Sequence, residues 1–447
     1  MKNTFYISCP IDTFSGYGSR SRDFVKALVE LDKYDIKVLP QRWGNCAWGF
    51  IDKHEEEWGF LKPLLHKSNN LPQQPDIWCQ ITVPNEFQRV GKYNIGLTAG
   101  IETTHCAPQW LEGLNRMDLN LVSSEHSKKV FETTGYDKKD QNGNLIGQIK
   151  LQKPVEVLME GAITETFKPL LRGELNNKEL FNSINSIPEN FAFLFMGHWM
   201  QGNLGEDRKN VGMLIKFFLE KYKNKKNAPA LILKTSITNA SVMGRTELLK
   251  RLNAIKNSIE ANKLPNIYIL HGDLSDTEIN ELYNNPKIKA MVSLTKGEGF
   301  GRPLLEFSLV NKPIIASNWS GHTDFLNSEF CALVEGTTKK VHKSAQIKDM
   351  IIGESEWFSP DLSYVSKYFD SVVTNYKEWK VKAKRQGYYA RTNFSFENMR
   401  ESIKNILEKN IPTMAKEVSL QLPKLKKINN SNTNKMPELK LPKLKKA

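Results

Sequence analysis

The chain has 447 residues, of which 40% are hydrophobic and 10% aromatic, a composition typical of a globular protein large enough for two domains. It contains no apolar run long enough for a transmembrane helix, and its N-terminus lacks the apolar core and cleavage site of a signal peptide. The five cysteines are scattered without a C-x-x-C pair, which predicts reduced thiols and a cytoplasmic protein.

The net charge of +14 is divided unevenly along the chain. Residues 411–447 hold nine lysines and two glutamates, a net charge of +7, so the remaining residues also carry +7. That mildly basic body suits anionic nucleotide-sugars. The tail repeats the sequence LPKLKK at 422–427 and 441–446, and its prolines and polar spacer predict disorder. Its cations suit an anionic membrane surface or nucleic acid, and equally a solubilising role.

The first elements predict a nucleotide-binding α/β domain. Residues 5–9 form an apolar strand, a loop containing Gly16 and Gly18 follows, and a helix is predicted from about Ser19 to Leu31. There is no G-x-G-x-x-G sequence, so the dinucleotide fingerprint is absent. A simple turn between strand and helix is the alternative interpretation of these glycines.

Later strands of this half are predicted at 36–39, 77–81, 93–98, 119–123 and 155–162, with a hairpin or loop over 137–147. Glu102 and His105 follow the 93–98 strand, at the sheet edge where ligands bind in parallel α/β sheets. Glu160 belongs to the last of these strands. A structural histidine is the alternative for His105.

The second half begins with the apolar strand 191–197 and a polar loop over 198–208. Arg208 and Lys209 then stand at the start of a predicted helix, where two cations suit a bound anion; a solvated basic turn is the alternative. Strands at 230–235 and 267–270 follow, and the loop after the second contains His271 and Gly272.

The most informative stretch is KGEGFGRPLLE, residues 296–306, between a predicted strand at 288–295 and a helix that begins at Arg302 or Pro303. Three glycines allow the backbone to approach a ligand, and the free N–H groups of the helix start suit an anion. Glu298 and Glu306 flank this corner, and carboxylates suit sugar hydroxyls. An ordinary turn with solvated acids is the alternative.

This stretch resembles the E-x7-E signature of retaining GT-B glycosyltransferases, especially glycosyltransferase family 4. Residues 311–317 (NKPIIAS) and 320–324 (SGHTD) resemble the segments that follow it in that family, with Asn311 where glycine is usual. The resemblance implies an α/β fold of the GT-B class, with two Rossmann-like domains facing a cleft and a C-terminal helix that crosses back to the first domain. The predicted boundaries are 1–170 for the acceptor domain, 171–190 for the linker, 191–392 for the nucleotide-sugar domain, 393–410 for the crossing helix and 411–447 for the tail.

The resemblance also implies roles for individual residues. Glu298 would contact the donor sugar and Glu306 the nucleotide ribose, while Arg208 and Lys209 would neutralise the diphosphate leaving group. His105 is a further catalytic candidate. The remaining candidates divide between donor and acceptor: Gly16, Gly18, Gly299, Phe300, Gly301, His271 and Gly272 on the donor side, and Glu102 and Glu160 on the acceptor side.

The implied reaction moves a sugar from a nucleotide-diphosphate donor to an acceptor hydroxyl with retention at the anomeric carbon. The family generally needs no metal, and no cofactor other than the donor substrate is expected. A glycan, a lipid-linked sugar or a protein could be the acceptor. Three alternatives remain: a nucleotide-sugar epimerase, a DNA-modifying glucosyltransferase, and a non-catalytic binding protein on the same scaffold.

Overall fold

The computed structural model describes residues 2–66, 68, 70–237 and 240–414, and residues 1–411 form one compact unit. The predicted disordered tail therefore lies almost entirely outside the described residues. The strands are β1 (Asn3–Cys9), β2 (Tyr34–Pro40), β3 (Ile77–Ile81), β4 (Tyr93–Thr98), β5 (Leu119–Val122), β6 (Gly135–Lys139), β7 (Leu145–Lys150), β8 (Val155–Val157), β9 (Ala192–Met196), β10 (Ala230–Lys234), β11 (Ile267–Leu270), β12 (Ile288–Ser293), β13 (Ile314–Ser317), β14 (Ala332–Val334), β15 (Gly336–Lys340) and β16 (Glu356–Pro360).

The helices alternate with these strands. They are α1 (Gly16–Leu31), α2 (Phe50–Lys53), α3 (Glu55–Trp58), α4 (Pro108–Arg116), α5 (Glu125–Thr133), α6 (Lys178–Asn185), α7 (Val211–Tyr222), α8 (Val242–Asn257), α9 (Asp276–Asn284), α10 (Arg302–Leu309), α11 (Leu362–Thr374), α12 (Tyr376–Asn393) and α13 (Phe396–Asn410). Short 3-10 turns occur at Gly59–Leu64, Pro84–Glu86, Arg172–Glu174, Gly321–Asp324 and Lys343–Ala345. None of the described helices combines the length and the apolar character that crossing a bilayer requires.

Two six-stranded parallel sheets organise the molecule. The strand orders are β2-β1-β3-β4-β5-β8 in the first sheet and β11-β10-β9-β12-β13-β14 in the second. Strands such as β5 and β13 are buried along their whole length, because helices cover both faces of a parallel sheet. The predicted pair of Rossmann-like domains is confirmed, and loops at the carboxyl ends of the strands provide the functional surface.

Serine caps fix where several helices begin. Ser15 accepts a hydrogen bond from the Gly18 N–H, so α1 begins at Gly16, three residues before the predicted start. Ser275 and Glu278 form a reciprocal capping box at the start of α9. Both predicted glycines of the first loop thus lie within the first turn of α1.

The segment predicted as a linker carries a packed helix. Leu180 and Ile184 of α6 are buried in the same hydrophobic cluster as Leu194 of the second sheet. Helix α6 therefore contributes to the core of the second half of the chain.

Helix α13 returns to the first sheet, as predicted. Ala162 donates its N–H to Phe394 O and accepts from the Phe396 N–H, each at 2.9 Å. Lys409 Nζ then lies 2.6 Å from Glu156 Oε1, so the end of α13 is held against the first domain.

Candidate active site

The loop between β12 and α10 forms the centre of the site. Gly301 adopts a φ of 98° and precedes α10, which begins at Arg302 as the sequence predicts. Glu298 and Glu306 are only 6% and 4% exposed. The loop is fixed from one side because Glu298 N–H donates to Ser320 Oγ at 2.8 Å and Gly321 N–H donates to Glu298 O at 3.0 Å.

Glu298 is bound to both predicted cations. Lys209 Nζ lies 2.6 and 2.7 Å from the two carboxylate oxygens, and Arg208 Nη1 lies 3.4 Å from Oε2. Burial alone would raise the pKa of Glu298, but the attraction of Lys209 and Arg208 outweighs it and lowers that pKa to about 2. Glu298 is therefore an anion that accepts hydrogen bonds and carries no proton to donate near neutral pH.

The same cluster crosses the cleft to the first domain. Arg208 Nη1 lies 2.9 Å from Glu102 Oε1, and Trp319 Nε1 donates to Glu102 O at 3.2 Å. The two loops are so close that a Cβ on Gly299 would stand 2.1 Å from Ala99 O. The glycine at 299 is thus required for the approach of the domains.

A second contact between the domains lies at the start of α5. Asp324 Oδ2, from the second domain, accepts the Glu125 N–H at 2.9 Å. A carboxylate near a helix N-terminus satisfies a free N–H group and interacts favourably with the helix dipole. Nearby, the rings of His126 and Trp319 meet edge to face at 5.1 Å.

Glu306 belongs to a separate ion cluster one turn into α10. Arg302 Nε lies 2.7 Å from Glu306 Oε1, and the same guanidinium bonds to Asp23 of α1. Burial raises the pKa of Glu306, which Arg302 opposes and the neighbouring Asp276 and Asp23 reinforce. One guanidinium thus joins the candidate ribose-binding carboxylate to the first domain.

The loop before α7 positions Arg208 and Lys209 through contacts along its length. Gln201 Nε2 donates to Gln346 O at 2.9 Å, and Asn203 N–H donates to Ser344 Oγ at 3.0 Å. These partners belong to the 341–355 connection between β15 and β16, which the sequence analysis did not single out. Lys296 N–H donates to Arg208 O at 2.8 Å, so the cations are tied directly to the E-x7-E loop.

Some candidates lie outside these clusters. His105 is exposed, and its Nδ1 lies 3.0 Å from Thr104 Oγ1. Both ring nitrogens of His271 face backbone carbonyl oxygens, Thr235 O at 3.2 Å and Ser241 O at 3.0 Å. Gly272 O accepts from Lys234 Nζ at 2.5 Å. Within the described part of the chain, none of these three residues forms a hydrogen bond or ion pair with Glu298 or Glu306.

Four further candidates also lie apart from the two ion clusters. Phe300 is 3% exposed and packs its ring 4.9 Å from that of Phe325, in the core. Gly18 is close-packed, since a Cβ there would lie 2.3 Å from Thr13 O, whereas Gly16 is open. Glu160 is 8% exposed and lines a cavity of about 180 Å³ together with Asn398 and Met399.

Sequence reasoning missed the residues that join the clusters. Asp23 is buried in the middle of α1, and Arg302 is the partly buried first residue of α10. The only sequence signal was Arg302 beside Pro303 in the motif. His322 lies against Gly301; its Nε2 donates to Ser317 O at 2.6 Å, while its buried Nδ1 has no hydrogen-bond partner among the described residues. Within the described ranges, no three metal-ligating side chains converge on one point.

Comparison with known proteins agrees with this geometry. Residues 204–355 match the family model of the glycosyl transferases group 1, and this region contains Arg208, Lys209, Glu298 and Glu306. Comparison with curated protein sequences gave no match.

Solved structures share the fold over nearly the whole chain. A glycosyltransferase from Rickettsia africae superposes with a TM-score of 0.59 at 15% identity, covering 92% of this chain and 100% of the other. Anabaena HepE in complex with UDP and glucose gives 0.58 at 12% identity, with coverages of 91% and 100%. The α,α-trehalose-6-phosphate synthase from Burkholderia multivorans gives 0.56 at 10%, with coverages of 92% and 99%. These structures show that the fold is GT-B. Over residues 204–355 the chain is similar to the glycosyl transferases group 1.

Proposed function

We propose that this protein is a retaining, family 4-type glycosyltransferase that transfers a sugar from a nucleotide-diphosphate donor to an acceptor hydroxyl. The observation that carries the proposal is the joint placement of Glu298, Lys209 and Arg208 beside the start of α10, with Glu306 one turn along that helix. The match of this region to the glycosyl transferases group 1 family supports it. The Anabaena structure with UDP and glucose supports a nucleotide-sugar as donor.

The donor diphosphate would lie between the N-terminus of α10 and the two cations. Negative charge grows on the diphosphate as the sugar departs, and preorganised cations and N–H groups stabilise it. Glu298 would hold Lys209 and Arg208 in place and accept hydrogen bonds from the sugar hydroxyls. Because its carboxyl is ionised, its role is orientation and electrostatic stabilisation rather than proton donation.

The first domain would supply the acceptor. Glu102 already reaches the cations from that side, which suits a group that orients an acceptor hydroxyl beside the departing diphosphate. Retention, the absence of a metal requirement and a sugar acceptor are proposed on the sequence resemblance. The five cysteines are free thiols, which supports a reducing compartment such as the cytoplasm.

The test is a thermal-shift and hydrolysis screen with UDP-, GDP-, ADP- and TDP-sugars. A donor that stabilises the wild type should fail to stabilise Glu306→Ala. The matched control is Glu281→Ala, because Glu281 is similarly buried in the same domain and, among the described residues, accepts hydrogen bonds only from the 176 and 177 N–H groups. Turnover should persist in excess chelator, and proton NMR of the released sugar should show the anomer of the donor.

Failure would take distinct forms. If no donor shifts the melting temperature, the donor-site assignment is wrong. If a donor binds but its sugar is converted to an epimer, the protein is an epimerase on the same fold. Release of the inverted anomer would reject retention while leaving glycosyl transfer intact.

A further inference from the structure

Helix α12 presents an unusual outer face. Its 18 residues include six cations, Lys377, Lys380, Lys382, Lys384, Arg385 and Arg391, against the single acid Glu378. The opposite face is buried against the second domain through Trp379, Ala383, Gly387 and Ala390. The helix is therefore fixed in place, and its cations lie on the outer face or at its borders.

In the part of the chain that the structure describes, no carboxylate neutralises those cations. Among the described residues, the lysines of α12 and Arg385 form no ion pair, whereas exposed cations on other helices commonly do, for example Lys404 with Glu401 and Lys409 with Glu156. Like charges lie close together on this face. Burial lowers the pKa of Lys380, and repulsion from the neighbouring cations Lys384 and Lys289 lowers it further. An uncompensated cluster of this kind is expected to attract an external anion.

Apolar side chains protrude from the same face. Val381 is 55% exposed and Tyr388 is 72% exposed, and their spacing of seven residues places them two turns apart on one side of the helix. Beside Tyr388 lies a groove of about 440 Å³, lined by Phe330, Tyr389, Lys384 and Arg385 among others. Cations and apolar groups thus alternate along a single strip.

We propose that this strip, Lys377–Tyr388 of α12, docks the protein on an anionic lipid bilayer. Lipid phosphates would neutralise Lys377, Lys384 and Arg385, while Tyr388 and Val381 enter the interfacial region where aromatic and aliphatic groups are stable. A bilayer is favoured over a nucleic acid or an acidic protein because the exposed apolar residues share the strip with the cations. The inference is independent of the proposed transferase activity.

Co-sedimentation of the full-length protein with vesicles tests the proposal. Binding is expected to vesicles of phosphatidylcholine with about 30% phosphatidylserine, and to weaken on adding salt and in vesicles of phosphatidylcholine alone. Removing three cations by K377Q/K384Q/R385Q should weaken the apparent affinity at least about tenfold, since each cation near an anionic surface contributes about fivefold.

The matched control is K223Q/K225Q/K226Q, three exposed lysines of the same domain in the loop that follows α7. It removes the same charge and keeps the basic tail, so it should bind within about twofold of the wild type. Equal loss in both triple variants, or no binding by the wild type, would overturn the proposal. Melting curves by circular dichroism confirm that each variant is folded.

A second variant, V381S/Y388S, separates a bilayer from other anions. It keeps every charge and should weaken vesicle binding severalfold. Unchanged binding would mean that the apolar residues do not enter a membrane, and the proposal would fall. Tighter binding of the wild type to a DNA duplex than to vesicles, lost in K377Q/K384Q/R385Q, would assign the strip to nucleic acid instead.

Discussion

Glu102 of the first domain and Arg208 of the second lie 2.9 Å apart across the cleft, and Arg208 also reaches Glu298 at 3.4 Å. Arg208 is therefore shared between a carboxylate of its own domain and one of the opposite domain. An entering diphosphate would compete with both carboxylates for this guanidinium. Closure of the domains and binding of the donor thus depend on the same side chain.

Glu102→Gln should separate donor binding from transfer. Removing the negative charge leaves Arg208 freer to meet the diphosphate, so we expect the nucleotide to bind about fivefold more tightly, which corresponds to about 1 kcal/mol for a partly exposed pair. Transfer to the acceptor should fall, because Glu102 would no longer orient the hydroxyl. Titration calorimetry and single-turnover assays measure the two effects. Glu112→Gln, at an exposed position of α4, serves as control, and equal changes in both variants would contradict this role.

Gly299→Ala should hold the cleft open. A Cβ at 299 would stand 2.1 Å from Ala99 O, a separation that requires the loops to move apart, whereas Gly173 has no atom within 4 Å of its added Cβ. The Gly299 variant should show a larger radius of gyration in small-angle X-ray scattering and should lose donor hydrolysis. Gly173→Ala should match the wild type in both measurements. An unchanged radius in the Gly299 variant would show that the loops adjust locally.

The Asp23–Arg302 pair should be energetically coupled. Arg302→Gln leaves the buried Asp23 and Glu306 carboxylates without their cation, which should destabilise the protein by about 3–5 kcal/mol. Asp23→Asn added to that variant should recover part of the loss, so the double variant should be more stable than the sum of the single changes predicts. Chemical denaturation measures each variant. The exposed pair of Lys33 with Glu408 is the comparison, and Lys33→Gln should change stability by less than about 1 kcal/mol. If the stability losses at positions 23 and 302 are additive, the two side chains are not energetically coupled.

Acid should weaken the contact between the domains through His126. Burial lowers the pKa of His126 to about 4, below the value near 6.5 of an unfolded histidine. As the pH falls below 6.5 the unfolded chain binds the proton first, so the stability that the neutral ring provides is complete above pH 6.5 and is lost as the pH falls towards 4. The loss corresponds to about 3 kcal/mol.

The variant His126→Phe tests this pH dependence. It keeps the edge-to-face contact with Trp319 and removes the titrating group. The free energy of unfolding, measured between pH 4 and 7, should therefore decline less steeply than in the wild type. Acids with raised pKa values, such as Asp324, act in the opposite direction, so the difference between the two proteins is the informative quantity. Parallel pH profiles would exclude His126 as the cause.

The backbone conformation at residue 311 explains why asparagine can stand where the resembled family usually has glycine. Its φ is 58°, in the left-handed region where glycine is free and asparagine is better tolerated than most residues. Asn311→Ala should destabilise the protein by about 1–2 kcal/mol, and Asn311→Gly should be milder in thermal melting. Equal losses in both variants would show that the amide side chain, which lies close to Gly387, matters more than the backbone.

Several residues also show which parts of the structure could be predicted from the sequence. The parallel strands were predictable because runs such as 191–197 are continuously apolar, and the site loop was predictable because glycines and Pro303 mark the turn into α10. The pairing of Asp23 with Arg302 was not predictable, because 279 positions separate the two residues and only the folded arrangement of the two domains brings them together. The donor contact that the resemblance implies at Phe300 is one of its backbone and stays a prediction, and the packing of its ring against Phe325 in the core was not predicted.

The contact between Asp324 and the start of α5 provides a single amide whose exchange with solvent depends on domain opening. The Glu125 amide has its hydrogen-bond acceptor on the opposite domain. Each separation of the domains releases that proton to solvent, while the hydrogen bonds inside the helix are retained. The hydrogen–deuterium exchange rate of this one amide should therefore report how often the domains separate. A bound donor that holds the domains together should slow the exchange.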